Sequence, residues 1–203
     1  MKTINCWNLV SIGMLFATMS VAQAAGDPAA GEYKFKTCAG CHAIAGYTNV
    51  YPSYHVPRLG GQHPEYIIAA LKAYQAGDRQ HPTMHANAYS LSEQDMADIA
   101  AYVANFGPAE DAPPVQGNAA AGKKIAANCV ACHGQDGNGP DPNFPRLAGQ
   151  HEDYLLKVLQ EYHQGTRNNA IMKGMVATLS EQDLADLAAF YASQPQGLTA
   201  VHE

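Results

Sequence analysis

The sequence predicts an all-α protein made of two tandem copies of one small helical domain. Three observations carry this. The chain repeats end to end: PRLGGQHPEYIIAALKAYQAGDR begins at Pro57 and PRLAGQHEDYLLKVLQEYHQGTR at Pro145, while LSEQD begins at Leu91 and again at Leu179, each pair 88 residues apart. That period is far longer than a solenoid repeat and reads as domain duplication. The segments inside each copy show helical spacing and helix caps, with little strand signal. Each copy opens with the same Cys-x-x-Cys-His pattern, CAGCH from Cys38 and CVACH from Cys129.

The elements follow in order. A first helix is expected from Asp27-Pro28, a capping residue followed by proline in the first turn, running into CAGCH. Its copy is expected from Asn118. A middle helix begins near Pro64 and stops at Gly77, with Tyr66, Ala70, Leu71 and Tyr74 on one face. The copy uses Tyr154, Val158, Leu159 and Tyr162 and stops at Gly165. The last helix is capped by Ser92 or Ser180, with Asp95 or Asp183 three residues on. Met96, Ile99, Ala100, Val103 and Phe106 then form its apolar stripe. A loop carrying Met84 or Met172 is expected between the middle and last helices.

The ends and the seam are also readable. Lys2, an apolar run from about Leu9 to Val21, and Ala22-Gln23-Ala24 form a secretory leader, residues 1–24, cleaved after about Ala24. The run is short and interrupted for a membrane span. Residues 25–107 and 118–203 are then the two domains, and 108–117, with Pro113-Pro114, a semi-rigid linker. The chain has a formal net charge of −6, and no basic run suggests nucleic acid. Charged residues make up 15%, against the usual quarter or so. Of nine histidines, those without a ligand role would protonate in mildly acid medium at their ordinary pKa, bringing the charge toward neutral.

Cys6 leaves with the leader, so four cysteines remain, all in the two motifs. C-x-x-C-H is the attachment sequence for c-type haem. Two thiols on one side of a helical turn can add to the two vinyl groups, and the next histidine reaches the iron. Three other readings use the same residues. A single zinc site made of all four cysteines would require both halves to fold around it. A thioredoxin-like motif needs βαβ surroundings. A disulfide within each pair leaves the histidine unexplained. Haem suits the repeat, one cofactor to each half, and would complete a core that about 85 residues poor in large aliphatics would struggle to build.

A second axial ligand is needed on each iron. Met84 and Met172 each stand seven residues before LSEQD. Methionine opposite histidine raises the reduction potential and fills the sixth position. Met175 aligns with Asn87, and His85 with Lys173, so neither keeps the equivalence.

With CAGCH, CVACH, PRLGGQH, PRLAGQH and the two Met-before-LSEQD blocks together, the chain resembles the dihaem cytochromes c4, a family of two tandem class I cytochrome c domains. The resemblance spans the whole mature chain. It implies two covalent haem c groups, attached at Cys38 and Cys41 and at Cys129 and Cys132. His42 and Met84 would bind the first iron, His133 and Met172 the second. It implies helix crossings at Gly31 with Tyr102 and Gly122 with Phe190. It also implies that the Pro57 and Pro145 carbonyls accept from the axial histidines, and that Arg58, Arg146, Arg79 and Arg167 meet haem propionates. The first half departs with a longer loop, AIAGYTNVYPSYHVPR, in which Tyr47, Tyr51, Tyr54 and His55 have no counterparts. Such a loop can cover a haem edge, form a partner surface or pack, and packing is the role expected of these residues.

The function expected is that of a periplasmic electron carrier, not an enzyme. A membrane terminal oxidase would be the acceptor, and a bc1 complex or small soluble redox protein the donor. Membrane contact would occur only through such partners. An electron-accepting subunit of a dehydrogenase is the alternative. A dihaem peroxidase is the third reading and needs one iron with an open position.

Overall fold

The computed structural model describes residues 25–109 and 113–201. The expected leader, residues 110–112 of the expected linker, and residues 202–203 lie outside the described residues. Each half is a set of helices wrapped around its own apolar cluster, and no named strand occurs among the described residues. No helix among them is long and apolar enough to cross a membrane.

The first half comprises α1 (Pro28–His42), α2 (Pro64–Ala76), α3 (Pro82–Ala88) and α4 (Glu93–Ala104). The second comprises α5 (Ala119–Ile125), a 3-10 turn at Ala126–Asn128, α6 (Val130–His133), α7 (Glu152–Gln164), α8 (Ala170–Val176) and α9 (Glu181–Ala192). The single helix α1 thus corresponds to a broken one in the second half. Asp27 caps α1 through its side chain, and Pro28 opens it. Gly77 and Gly165 end α2 and α7 in the left-handed region, with φ of 81° and 77°. Ser92 with Asp95, and Ser180 with Asp183, form complete capping boxes.

Helices α1 and α4 cross, as do α5 and α9. A Cβ on Gly31 would run into the Asp98 carbonyl and come 2.8 Å from Tyr102 Cβ. One on Gly122 would meet the Asp186 carbonyl and come 2.8 Å from Phe190 Cβ. Asp98 and Asp186 then cap the opposite helices: the Asp27 N–H donates to Asp98 Oδ1 at 2.8 Å and the Asn118 N–H to Asp186 Oδ1 at 3.2 Å. Lys34 also reaches Asp98, at 2.5 Å, and holds its carboxyl below the ordinary range, helped by the Asp27 N–H.

The first core joins Phe35, Ile67, Leu71, Tyr74, Met96, Ile99, Ala100 and Val103. Phe106 is only half-buried, and Ile67 takes the core place on α2 beside Leu71 and Tyr74, while Tyr66 and Ala70 are half-buried. The same happens on α7, where Leu155 is buried and the four expected residues are half-buried.

The C-terminal tail crosses the seam. Gly60 and Thr199 exchange backbone hydrogen bonds at 2.9 and 3.0 Å, the Val201 N–H donates to the His42 carbonyl at 3.2 Å, and Val201 is buried in the first core. The last residues of the second half therefore complete the first.

Because the glycine contacts lie against backbone, they have no room to relax. Gly122→Ala is expected to destabilise the holoprotein by about 1–3 kcal/mol through overpacking. Thermal unfolding followed by circular dichroism checks this; an unchanged midpoint would contradict it.

Candidate functional site

The two CxxCH motifs end the first helical stretch of each half. Cys38, Cys41, Cys129 and Cys132 are half-buried free thiols, and His42 and His133 are buried. Among the described residues, no group of three or more His, Cys, Asp or Glu side chains could hold a metal ion, so the four cysteines do not assemble a shared zinc centre. His42 Nδ1 lies 2.9 Å from the Pro57 carbonyl and His133 Nδ1 3.0 Å from the Pro145 carbonyl. A carbonyl can only accept, so each Nδ1 carries the proton and each Nε2 keeps its lone pair for a metal. Burial pushes both imidazoles toward the neutral form, against the pull of the proline carbonyls.

The expected loop around the methionines is instead a short helix. A capping residue explains it in each half, with a proline opening α3 as well. Met84 is the third residue of α3, behind Pro82, and its N–H donates to Nδ1 of the cap His81 at 3.2 Å. Met172 occupies the same place in α8, its N–H donating to Oδ1 of the cap Asn169 at 3.0 Å. Met84 packs against the first core. Met175 is 43% exposed. His85 is exposed, and its Nδ1 donates to the Tyr74 carbonyl at 2.8 Å.

The seam between the halves is built from the repeated PRLxGQH segments. Gln62 exchanges hydrogen bonds with the Arg146 backbone at 2.9 and 3.0 Å. Gln150 does the same with the Arg58 backbone, both at 2.9 Å. Arg146 Nη1 donates to the Gly61 carbonyl at 2.9 Å, and Arg58 Nη1 to the Gly149 carbonyl. Sequence reasoning missed this use of the glutamines, although their identical position in both halves was visible.

Beside it lies a seam cavity of about 100 Å³, lined in part by Tyr54, Arg79, His81, Tyr154, Glu161 and Arg167. Arg79 Nη2 donates to the Tyr154 hydroxyl at 2.8 Å, and its guanidinium stands 4.5 Å from the Tyr74 ring centre. Arg167 stands 5.1 Å from the Tyr162 ring and 3.4 Å from Glu161. Lys157 also pairs with Glu161. Three cations here share one carboxylate, and Arg79 Nε and Arg146 Nε are buried without a hydrogen-bond partner. Such donors suit added carboxylates. The free thiols, the uncommitted Nε2 atoms and these orphaned donors all fit haem c with its propionates.

The extra loop of the first half divides. Tyr54 packs, its hydroxyl 3.0 Å from His81 Nε2. His55 grips Asp153 through both its N–H, at 2.9 Å, and Nδ1, at 2.7 Å, and stacks on His151 at 4.7 Å. Tyr51 is 95% exposed, contrary to the packing expected of it.

Two histidines do not keep the ordinary value that the charge argument used. Burial, Arg58 and His55 push His151 down to about 4. Burial, with Lys157 and Arg79, also lowers His81.

The cytochrome c family model matches residues 28–106 and 119–194. Cytochrome c4 of Pseudomonas aeruginosa is 36% identical over 90% of this chain and 96% of its own. A thiosulfate dehydrogenase electron acceptor of Stutzerimonas stutzeri is 30% identical over 97% of this chain and 98% of its own. The crystal structure of reduced cytochrome c4 from Pseudomonas stutzeri superposes with a TM-score of 0.73 at 32% identity, covering 84% of this chain and all of that one.

His151 makes the stability of the fold depend on pH. Its unfolded pKa is near 6.5 and its folded value about 4. Between these values the unfolded chain binds more protons, so stability falls as pH drops through that window. Denaturant titrations at several pH values should show a shallower fall for His151→Gln; an identical slope would contradict the assignment.

The chain belongs to the cytochrome c family, as a dihaem protein of the cytochrome c4 type with two covalently bound haem c groups.

Proposed function

We propose that this protein is a periplasmic electron carrier of a respiratory chain, delivering electrons to a membrane terminal oxidase. Cys38 and Cys41 attach the first haem, and Cys129 and Cys132 the second. His42 with Met84 would hold the first iron, and His133 with Met172 the second. The haem iron supplies a one-electron Fe(II)/Fe(III) couple. The observation that carries this reading is the duplicated ligand geometry: a proline-oriented histidine and a helix-capped methionine recur in both halves.

The remaining residues orient and hold. The Pro57 and Pro145 carbonyls fix each imidazole plane and its tautomer. Arg79 and Arg167 hold propionates at the seam, where cations exceed carboxylates. Arg58 and Arg146 spend Nη1 on the opposite half, and Arg146 Nε retains a donor for a propionate. No side chain is assigned to a bond-making or bond-breaking step. A methionine for each iron would leave neither with an open position, which disfavours the peroxidase reading. The donor is a bc1 complex or a small soluble redox protein, and the membrane is met only through such partners.

A second reading is favoured by one specific observation, the end-to-end similarity to a thiosulfate dehydrogenase electron acceptor. On that reading the chain takes electrons from a dehydrogenase. Stopped-flow mixing separates the two roles. The reduced chain is expected to be reoxidised by membranes containing a terminal oxidase, with the rate falling as salt is raised if charge guides docking. Reduction by a dehydrogenase without reoxidation by any oxidase would favour the second reading.

A further inference from the structure

The two halves differ at one buried position next to a haem-attachment cysteine. Tyr191 on α9 corresponds to Val103 on α4, each twelve residues beyond the aligned Leu of LSEQD. Both are buried, at 4% and 0% exposure. The Tyr191 ring lies in the second core, against which Cys129 packs, and its hydroxyl oxygen is buried with no hydrogen-bond partner. Its Cδ1 fills the space above Gly137, where a Cβ would come within 2.8 Å of it, so the absence of a side chain there makes room for the ring. Burial pushes the Cys129 thiol up, and the Tyr191 hydroxyl partly offsets this; burial and Cys129 together raise the hydroxyl. The second core therefore gathers this unpartnered hydroxyl and the attachment cysteine into one buried cluster.

At the corresponding position of the first half, the described residues do not reproduce this. Val103 offers only methyl groups. Cys38 has the Thr37 hydroxyl at 3.8 Å, but that group is exposed and also reaches the Lys34 carbonyl at 3.4 Å. Its dipole is screened by water. A buried hydroxyl left unpaired costs about 1–3 kcal/mol, so a tyrosine kept here calls for a partner that forms only with the cofactor.

We propose that Tyr191 is a positioning residue for the second haem, donating its hydroxyl proton to the thioether sulfur of Cys129 and favouring the reduced state of that haem. A thioether sulfur has no proton and can only accept, which fixes the direction of the bond. The positive end of the O–H dipole then points at the haem edge in a buried site of low polarity, where it acts strongly. Reduction adds negative charge to the haem, and the dipole stabilises it. No atom is transferred and the hydroxyl keeps its proton. The consequence is an asymmetry between otherwise duplicated sites, biasing an electron shared within the chain toward the second half.

The inference rests on the dihaem His/Met reading above, and the test keeps the two apart. Redox titration of holo Tyr191→Phe, followed optically, is compared with the parent chain; the wave displaced in Met172→His identifies the second haem. The expected result is an equilibrium constant for reducing the second haem lowered by about threefold, a fall of about 28 mV at 59 mV per decade, with the first haem unmoved. The isosteric phenylalanine keeps the packing, so a purely structural role predicts altered melting and no shift in potential. Two intact waves with no shift, a rise at the second haem, or equal movement of both would overturn the inference alone. A parent chain that lacks two one-electron waves would overturn the dihaem reading and the inference with it.

Discussion

Each half of the molecule depends on a glycine laid against the backbone of a crossing helix. At Gly31 and Gly122 no side chain fits, and only that lets α1 reach α4, and α5 reach α9, at backbone distance. The crossing places the CxxCH segment at a set height on the domain. It also brings Asp98 and Asp186 to the N-terminal ends of the opposite helices, where their carboxylates accept backbone N–H groups. A carboxylate at a helix N-terminus is favoured by the orphan donors there. From that fixed point His42 and His133 follow, since each is the last residue of its motif helix, and a proline carbonyl then locks each ring.

The halves do not simply sit side by side. Gln62 and Gln150 each pair with the backbone of the opposite PRLxGQH segment, a reciprocal arrangement that a duplicated sequence makes available without new residues. The extra loop and the C-terminal tail then break the symmetry. His55 and Tyr54 reach from the first half to the second, and Val201 reaches from the second into the core of the first. Buried guanidiniums collect at this seam with too few carboxylates, a balance that makes chemical sense once acidic groups of the cofactors are present. The same seam holds His151 neutral, because burial and Arg58 both oppose a charge there.

Much of this was legible in the sequence because the chain carries its own comparison. The repeat marked Met84 and Met172 as equivalents and set Met175 and His85 aside, and caps such as Asp27, Ser92 and Gly77 sat where local chemistry dictates. Three features were not legible, for different physical reasons. The methionine segments read as loops because seven-residue helices have no room for an apolar stripe, and the caps that start them, His81 and Asn169, differ between the halves. The buried face of α2 was rotated by one residue, since Ile67 and Tyr66 are neighbours and only the contact with α4 decides between them. The seam contacts of Gln62, His55 and Val201 are long-range, and no local pattern announces a hydrogen bond across the repeat.

The central claim is that both irons are held by histidine and methionine in a chain of duplicated sites. The most direct measurement is the visible and near-infrared spectrum of the oxidised, purified protein, with haem quantified per chain. Two haems, with a methionine-to-ferric-iron charge-transfer band at the strength of two sites, is the result predicted here. One haem per chain, or a band that is missing or at half strength, would contradict it by showing that at least one iron lacks methionine.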